Sequence, residues 1–345
     1  MEGACQRNGW HGGFSPEHVA AMANHKPYDL SGVVTYDLVS RPSKVFHDEL
    51  GRPVSADTSV GTWLESLPRQ LAANDLRRVS DHLLRAFKEG RTVGAAVGGH
   101  VIKTGCAPYL IDWIQRGILK AVALNGASAI HDLELAVAGK TSENVNTQLP
   151  AGQFGMARET ADAFAIAARN GAGNELGLGW ALGRHLDTLD CPYADTSLLL
   201  AAYRAGIPCT VHVAIGTDIV TMHPHVCGAS LGEASLIDFR RLCTVVSGMK
   251  EGVWFNLGSA VVLPEVFMKA VAVARNFSHC LDGLVTVNVD KQVQYRSRVN
   301  VIERPSSEGI ELIGHHELLL PLLHAALAYR LEAVTATTEP PAQAA

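Results

Sequence analysis

From residue 91 the apolar positions follow a repeating pattern. Short unbroken runs of apolar, β-favouring residues end in Gly or Asn and open into a stretch of helical period. Thr92–Val97 leads into Gly98-Gly99, Ala121–Leu124 into Asn125-Gly126, and Thr210–Ile215 into Gly216. Val253–Phe255 then leads into Asn256-Leu257-Gly258, and Leu284–Val287 into Asn288. Between them the spacing predicts helices over 106–119, 128–138, 155–170, 195–205, 229–247, 261–275 and 317–331. Unbroken apolar strands alternating with helices predict a sheet covered on both faces, which is the pattern of parallel strands. The expected fold is a doubly wound, mostly parallel, Rossmann-like α/β sheet. Right-handed crossovers put every strand's carboxyl end on one edge, and all these Gly and Asn clusters fall on that edge.

Upstream, Leu76, Val79, Leu83 and Phe87 share one face of a helix expected over 75–89. Residues 1–75 are punctuated by five prolines and read as an extension with short helices. One begins at Ser15-Pro16-Glu17, where Ser caps and Pro opens the first turn. The expected organisation is an extension over 1–75, the α/β domain over 76–332 and a disordered tail over 333–345.

Composition narrows the function classes. Of 345 residues, 47% are apolar and 18% charged, so the chain can bury a large core. The net charge of −5 gives no general pull toward nucleic acid. No run approaches the ~18 apolar residues of a membrane span, and the amino terminus lacks a signal pattern. A soluble, cytoplasmic protein is expected. The seven Cys include no C-x-x-C pair and read as buried small hydrophobes rather than a disulfide framework.

Ligands of open α/β sheets bind beyond the carboxyl ends of the strands. Three turns there lack bulk: Gly98-Gly99-His100 through Thr104-Gly105, Asn125-Gly126-Ala127, and Leu257-Gly258-Ser259. Small residues let backbone approach a ligand, and exposed N–H groups favour an anion such as a pyrophosphate. No G-x-G-x-x-G, Walker A or G-x-S-x-G motif is present. Titratable groups crowd the same edge: His131-Asp132 with Glu134, Asp218, His223 and His225, and His315-His316. Imidazoles and carboxylates suit proton transfer near neutral pH or metal ligation. His223-x-His225 and His315-His316 match no fixed zinc spacing, so a metal is possible but not favoured. Lys103, in the first turn, could form an imine or pair with phosphate.

The matching order of these segments resembles the deoxyhypusine synthase family and its relative homospermidine synthase over about residues 92–328. His100–Gly105 is similar to that family's S-N-L-x-S-S-G turn, Leu124–Asp132 to T-T-A-G-G-V-E-E-D, and Ala205–Asp218 to its I-P-V…T-D-G-S segment. Leu257-Gly258 is similar to L-G-G-G, and Gly314–Leu322 to the segment ending in a hydrophobic helix. The resemblance implies a Rossmann-like fold, NAD, and a homotetramer with shared sites. It also implies polyamine-related transfer through an enzyme lysine imine.

This chain departs from that pattern at three places. His131 stands where the family has a Glu, and His223 where it has a polyamine-facing Asp; Asp132 and Asp218 match. The W-G-K lysine has no counterpart, since 295–305 contains no lysine. A polycation needs carboxylates to pair its ammonium groups, so a smaller and less cationic substrate is expected than for a true deoxyhypusine synthase. The leading expectation is an NAD-dependent transferase or oxidoreductase acting on an amine or amino-acid-like small molecule. Gly98, Gly99, Thr104, Gly105, Asn125, Gly126, Ala127, Gly258 and Ser259 would line the nucleotide. Lys103, His131, Asp132, Asp218 and His223 would be catalytic. His100, Glu134, His225, His315 and His316 would face substrate. One alternative is a metal-dependent hydrolase or lyase with His131, Asp132, Asp218, His223 and His225 as ligands. Another is a non-catalytic relative that binds a nucleotide or small ligand.

Overall fold

The computed structural model describes residues 15–23, 25–305 and 308–338. The described chain divides into two units at Asp48/Glu49. The first contains α1 (Pro16–Ala23), opened by Pro16 as the sequence suggests, and residues 25–46 form neither helix nor strand.

In the second unit α2 (Val60–Ser66) and α3 (Leu71–Lys88) precede β1 (Val93–Val97). Ser59 caps α2 by accepting from the Thr62 N–H at 3.2 Å. A methyl added to Gly61 would land 2.1 Å from the Tyr329 ring, so α2 packs closely on the last helix of this unit. That packing explains why the division falls at residue 48, ahead of the boundary at residue 75 drawn from sequence. α4 (Gly99–Lys103) and α5 (Ala107–Gln115) lead to β2 (Ala121–Asn125). Next come α6 (Gly126–Ala138), α7 (Val145–Gln148), α8 (Arg158–Gly173), α9 (Leu178–Asp187) and α10 (Leu198–Ala205). They are followed by β3 (Cys209–His212), α11 (Gly228–Ser247), β4 (Val253–Leu257), α12 (Val262–Asn276) and β5 (Val285–Asp290). α13 (Tyr295–Ser297) and a π-helical segment, Arg298–Glu303, reach β6 (Glu308–Ile313). α14 (His316–Thr338) runs into the expected tail; residues 339–345 lie outside the described residues.

All strand pairs are parallel, in the order β3-β2-β1-β4-β5-β6. This is the doubly wound arrangement, with a topological switch between β1 and β4 where successive connections leave in opposite directions. Side chains alternate between the two faces of each strand. On one face Val97, Leu124, Val211, Phe255 and Val287 meet α3, α5, α6, α9, α10 and α14 in the larger core. On the other, Ala96, Ala123 and Trp254 meet α11 and α12 in a smaller core, where Trp254 stacks on Phe267 with ring centres 4.7 Å apart. Each fully buried Val, Leu or Phe contributes about 1.5–3 kcal/mol, so the larger core carries most of the stability. Among the described residues no helix is long and apolar enough to cross a membrane.

Candidate functional site at the carboxyl edge of the sheet

In doubly wound sheets ligands bind beyond the strand ends at a switch point, and at the β1/β4 switch of this sheet two bare loops meet. A methyl on Gly98 would lie 2.1 Å from the Gly258 carbonyl oxygen, so these loops touch backbone to backbone. Gly258 has φ +62°, a left-handed conformation that favours glycine, and its pro-Cβ position is 2.9 Å from His316 Nε2. Ser259 is buried, and its carbonyl accepts from Asn256 Nδ2 at 2.9 Å and Ser297 Oγ at 3.0 Å. The glycines at 98 and 258 thus let two turns and an imidazole come together.

His316 lies at the start of α14 with 1% of its surface exposed. Its Nε2–H donates to the Val289 carbonyl at 3.1 Å. That fixes Nδ1 as the lone-pair nitrogen, and Nδ1 is buried without a hydrogen-bond partner. Burial lowers the His316 pKa, so the ring is neutral at pH 7. His100, exposed on α4, meets it edge to face with centroids 5.4 Å apart. Such an acceptor costs free energy until a donor reaches it.

A second group lies on the α6 side of the same loop. A methyl on Gly99 would be 3.2 Å from Ala127 Cβ and 3.3 Å from His131 Cδ2, so α4 is pressed onto the first turns of α6. His131 Nδ1 lies 2.7 Å from Thr141 Oγ1, and the Thr141 hydroxyl donates to Glu134 Oε2 at 2.5 Å. Thr160 donates to the other Glu134 oxygen at 3.0 Å. Because the Thr141 proton is committed to Glu134, the His131 Nδ1 must carry a proton, and Nε2 holds the lone pair. Burial, with the nearby Lys103 ammonium, pushes the His131 pKa down to about 4. A neutral imidazole of fixed tautomer results. Glu134, Thr141 and Thr160 also line a cavity of about 660 Å³ between α6, α8 and α9, beside Lys140 and Asp162.

The third contact involves Asp218. A methyl on Gly126 would fall 2.0 Å from Asp218 Oδ2, so the carboxylate rests against the first residue of α6. Asp218 accepts from the Ala214 N–H at 2.8 Å, while burial raises its pKa. Asn125 caps the same helix, accepting from Ser128 N at 2.8 Å.

Other residues singled out from sequence sit elsewhere. Asp132 is fully buried; it accepts from Ser197 Oγ at 2.6 Å, Leu198 N at 2.7 Å and Leu199 N at 3.2 Å. It holds the start of α10, and burial raises its pKa to about 6. His223 donates to the Gly155 carbonyl at 2.9 Å, and His225 pairs with Asp162 at 2.8 Å, both at the α8 end. His315 is exposed beside Glu317 at 3.5 Å. Thr104 closes α4 by donating to the His100 carbonyl at 3.0 Å, and Gly105 follows with φ +77° and open space at its pro-Cβ position. His131, Asp132, Asp218, His223 and His225 do not converge as a metal set: among the described residues no group of three or more His, Cys, Asp or Glu could hold an ion. Sequence reasoning missed Thr141, Thr160 and Ser197, whose partners on α6 lie from 7 to 65 residues away and which no local motif marks.

No family model matches this sequence, and no curated protein does. Solved structures do share the fold. AgrE in its ternary complex with ornithine and NAD+ is 16% identical, with a TM-score of 0.50 over 75% of this chain and 33% of AgrE. An LOR/SDH protein from Methanococcus maripaludis S2 is 21% identical over 76% of this chain and 71% of its own, with a TM-score of 0.48. A protein described as a deoxyhypusine synthase from Entamoeba histolytica is 11% identical over 81% and 96%, also with a TM-score of 0.48. This chain therefore spans about a third of the length of AgrE. At such identities the likeness establishes the doubly wound fold and nothing finer.

Proposed function

We propose that this protein binds NAD along the carboxyl edge of its sheet and is an enzyme of deoxyhypusine synthase-like type. Its substrate would be an amine or amino-acid-like small molecule. The observation that carries the reading is the unpartnered His316 Nδ1 at the β1/β4 switch, beside loops with no side chains at 98, 99 and 258. A buried acceptor there fits a guest that brings a donor, such as a ribose hydroxyl or a carboxamide N–H. AgrE, of the same fold, is seen with NAD+ and ornithine, which supports the choice of cofactor and substrate class.

In this reading Gly98, Gly99 and Gly258-Ser259 border the dinucleotide, and Asn125-Gly126-Ala127 extend its bed toward β2. The nicotinamide would accept a hydride. The chain's own residues supply position and proton handling. His131, neutral at pH 7 with Nε2 as its lone-pair nitrogen, is suited to orient a substrate N–H or O–H by accepting its hydrogen bond. Glu134 and Thr141 keep that tautomer, in the way a carboxylate orients a catalytic imidazole. Lys103, exposed on α4 near His131, supplies the amine or the positive charge that the missing W-G-K lysine would otherwise bring. Asp218, against the first residue of α6, completes the proposed proton-handling set.

The test is calorimetric titration of the purified protein with NAD+. Wild type should bind with a dissociation constant on the order of 1–100 μM, and His316→Leu should weaken binding at least tenfold without lowering Tm. Absence of heat or protection up to millimolar NAD+ would overturn the reading. If NAD+ binds, absorbance at 340 nm with amine and amino-acid substrates reports turnover, and His131→Ala should lower kcat by about 10²–10⁴.

A further inference from the structure

The cavity of about 660 Å³ beside α6 is set apart from the proposed nucleotide bed. α6 leaves the carboxyl edge at Gly126, and at 1.5 Å per residue the wall residues Leu133 to Ala138 lie roughly 10–18 Å further along its axis. The volume falls within the roughly 300–1,000 Å³ of small-molecule sites. Leu133 and Val137, one turn apart on α6, give it an apolar wall together with Ala163 on α8 and Leu189 beyond α9. Its charge is one-sided. Four carboxylates, Glu134, Glu143, Glu159 and Asp162, line it against the single ammonium of Lys140. Burial lowers the pKa of His185, so that imidazole adds no charge at pH 7.

Glu134 decides what the cavity takes. Its side chain is only 16% exposed. One oxygen accepts from the Thr141 hydroxyl and the other from the Thr160 hydroxyl, both uncharged donors. His131 Nδ1 stands 4.0 Å away on a ring that is neutral at pH 7. Glu159 and Asp162, both exposed, already pair with Arg158 and His225. Among the described residues no cation pairs with Glu134, although a carboxylate has lone pairs for about four hydrogen bonds. A charge this far out of water is stabilised by an opposite charge that brings N–H donors.

We propose that this cavity binds a small organic cation, an ammonium or guanidinium group carried on an apolar chain. The charged head sits on Glu134, and the chain lies against Leu133, Val137 and Leu189. A ligand with an acid group would set its carboxylate among like charges, so the favoured ligand carries none. The inference stands whether or not NAD binds at the carboxyl edge, because nothing in it uses the nucleotide.

The test is calorimetric titration of the full chain with hexylamine at pH 7, without nucleotide. Binding should show a dissociation constant on the order of 0.1–1 mM, with 6-aminohexanoate at least tenfold weaker and hexanoate giving no heat. Glu134→Gln keeps the shape of the side chain and removes its charge, and should weaken hexylamine binding at least tenfold. Ala138→Trp, at an exposed position of the wall, should fill the space and abolish binding with Glu134 intact. Circular dichroism and Tm establish that each variant is folded. The absence of heat with wild type up to about 10 mM hexylamine would overturn the proposal. So would equal affinity for hexanoate or 6-aminohexanoate, or unchanged hexylamine binding in either folded variant.

Discussion

Under α3, α5 and α14 the sheet presents Val97, Leu124, Phe255 and Val287, all fully buried and all apolar. Its opposite face carries Thr210, His212, Asn256, Thr286 and Asn288, equally buried. Asn256 and Asn288 lie opposite each other on β4 and β5, and Asn256 Nδ2 donates to Asn288 Oδ1 at 2.8 Å. Nonspecific burial holds the first face, and its cost of mutation is set by lost volume. The second combines a smaller apolar core, where Trp254 stacks on Phe267, with directional bonds among these polar groups, whose cost of mutation is set by groups left without partners. One sheet thus divides its labour. One side supplies most of the apolar burial, and the other adds bonds that fix the loop after β4, since Asn256 Nδ2 also bonds the Ser259 carbonyl at 2.9 Å.

The largest expected effect tests the apolar side. Phe255→Ala should cost about 3–5 kcal/mol in urea unfolding; a loss under 1 kcal/mol would erase the distinction. Next, Asn256→Leu keeps volume but strands Asn288 Oδ1 and removes one of two donors to the Ser259 carbonyl, and should cost about 1–3 kcal/mol. If it proved stabilising, the polar layer would not be a bonded one. Protons should also distinguish the faces. His212 is buried, lies 2.9 Å from Thr210 Oγ1, and has its pKa pushed down to about 4 by burial. A base with a depressed folded pKa resists protonation, so stability is full above pH 6.5 and falls as pH drops toward 4. His212→Gln should remove about 1–2 kcal/mol of that acid loss at pH 5, measured as the change in unfolding midpoint between pH 7 and 5. Smallest of all, Arg158→Ala at the exposed ion pair with Glu159 in the first turn of α8 should leave Tm unchanged within error, because that pair is solvent-screened.

Much of this frame was legible from residue order. Val, Ala and Phe runs stopping at Gly or Asn marked β1 to β5, and the helices between them followed from periodicity. β6 escaped because Glu308-Gly309-Ile310-Glu311-Leu312-Ile313 is an outer strand with charged residues inside the run. α9 escaped because Gly179 and Gly183 look like helix breakers. Their pro-Cβ positions lie 2.2 Å from the Cys209 carbonyl and 2.7 Å from the Leu199 carbonyl, so the glycines permit close packing. β3 ends at His212 rather than at Ile215, since the chain turns there to return Asp218 toward Ala214. At the candidate site the small-residue turns were visible, but their meetings were not. Nothing in sequence pairs Gly98 with Gly258, or Asp132 with Ser197 sixty-five residues away. Those pairings follow from which loops the sheet order makes neighbours.

The carboxylate resting against Gly126 has an electrostatic consequence. The amino end of a helix is its positive pole, and at α6 the chain has already brought its own counter-ion in the form of Asp218. That corner will therefore resist a phosphate and welcome a hydroxyl or amide hydrogen. Whatever guest the rim accepts must arrive with its negative end turned away from β2.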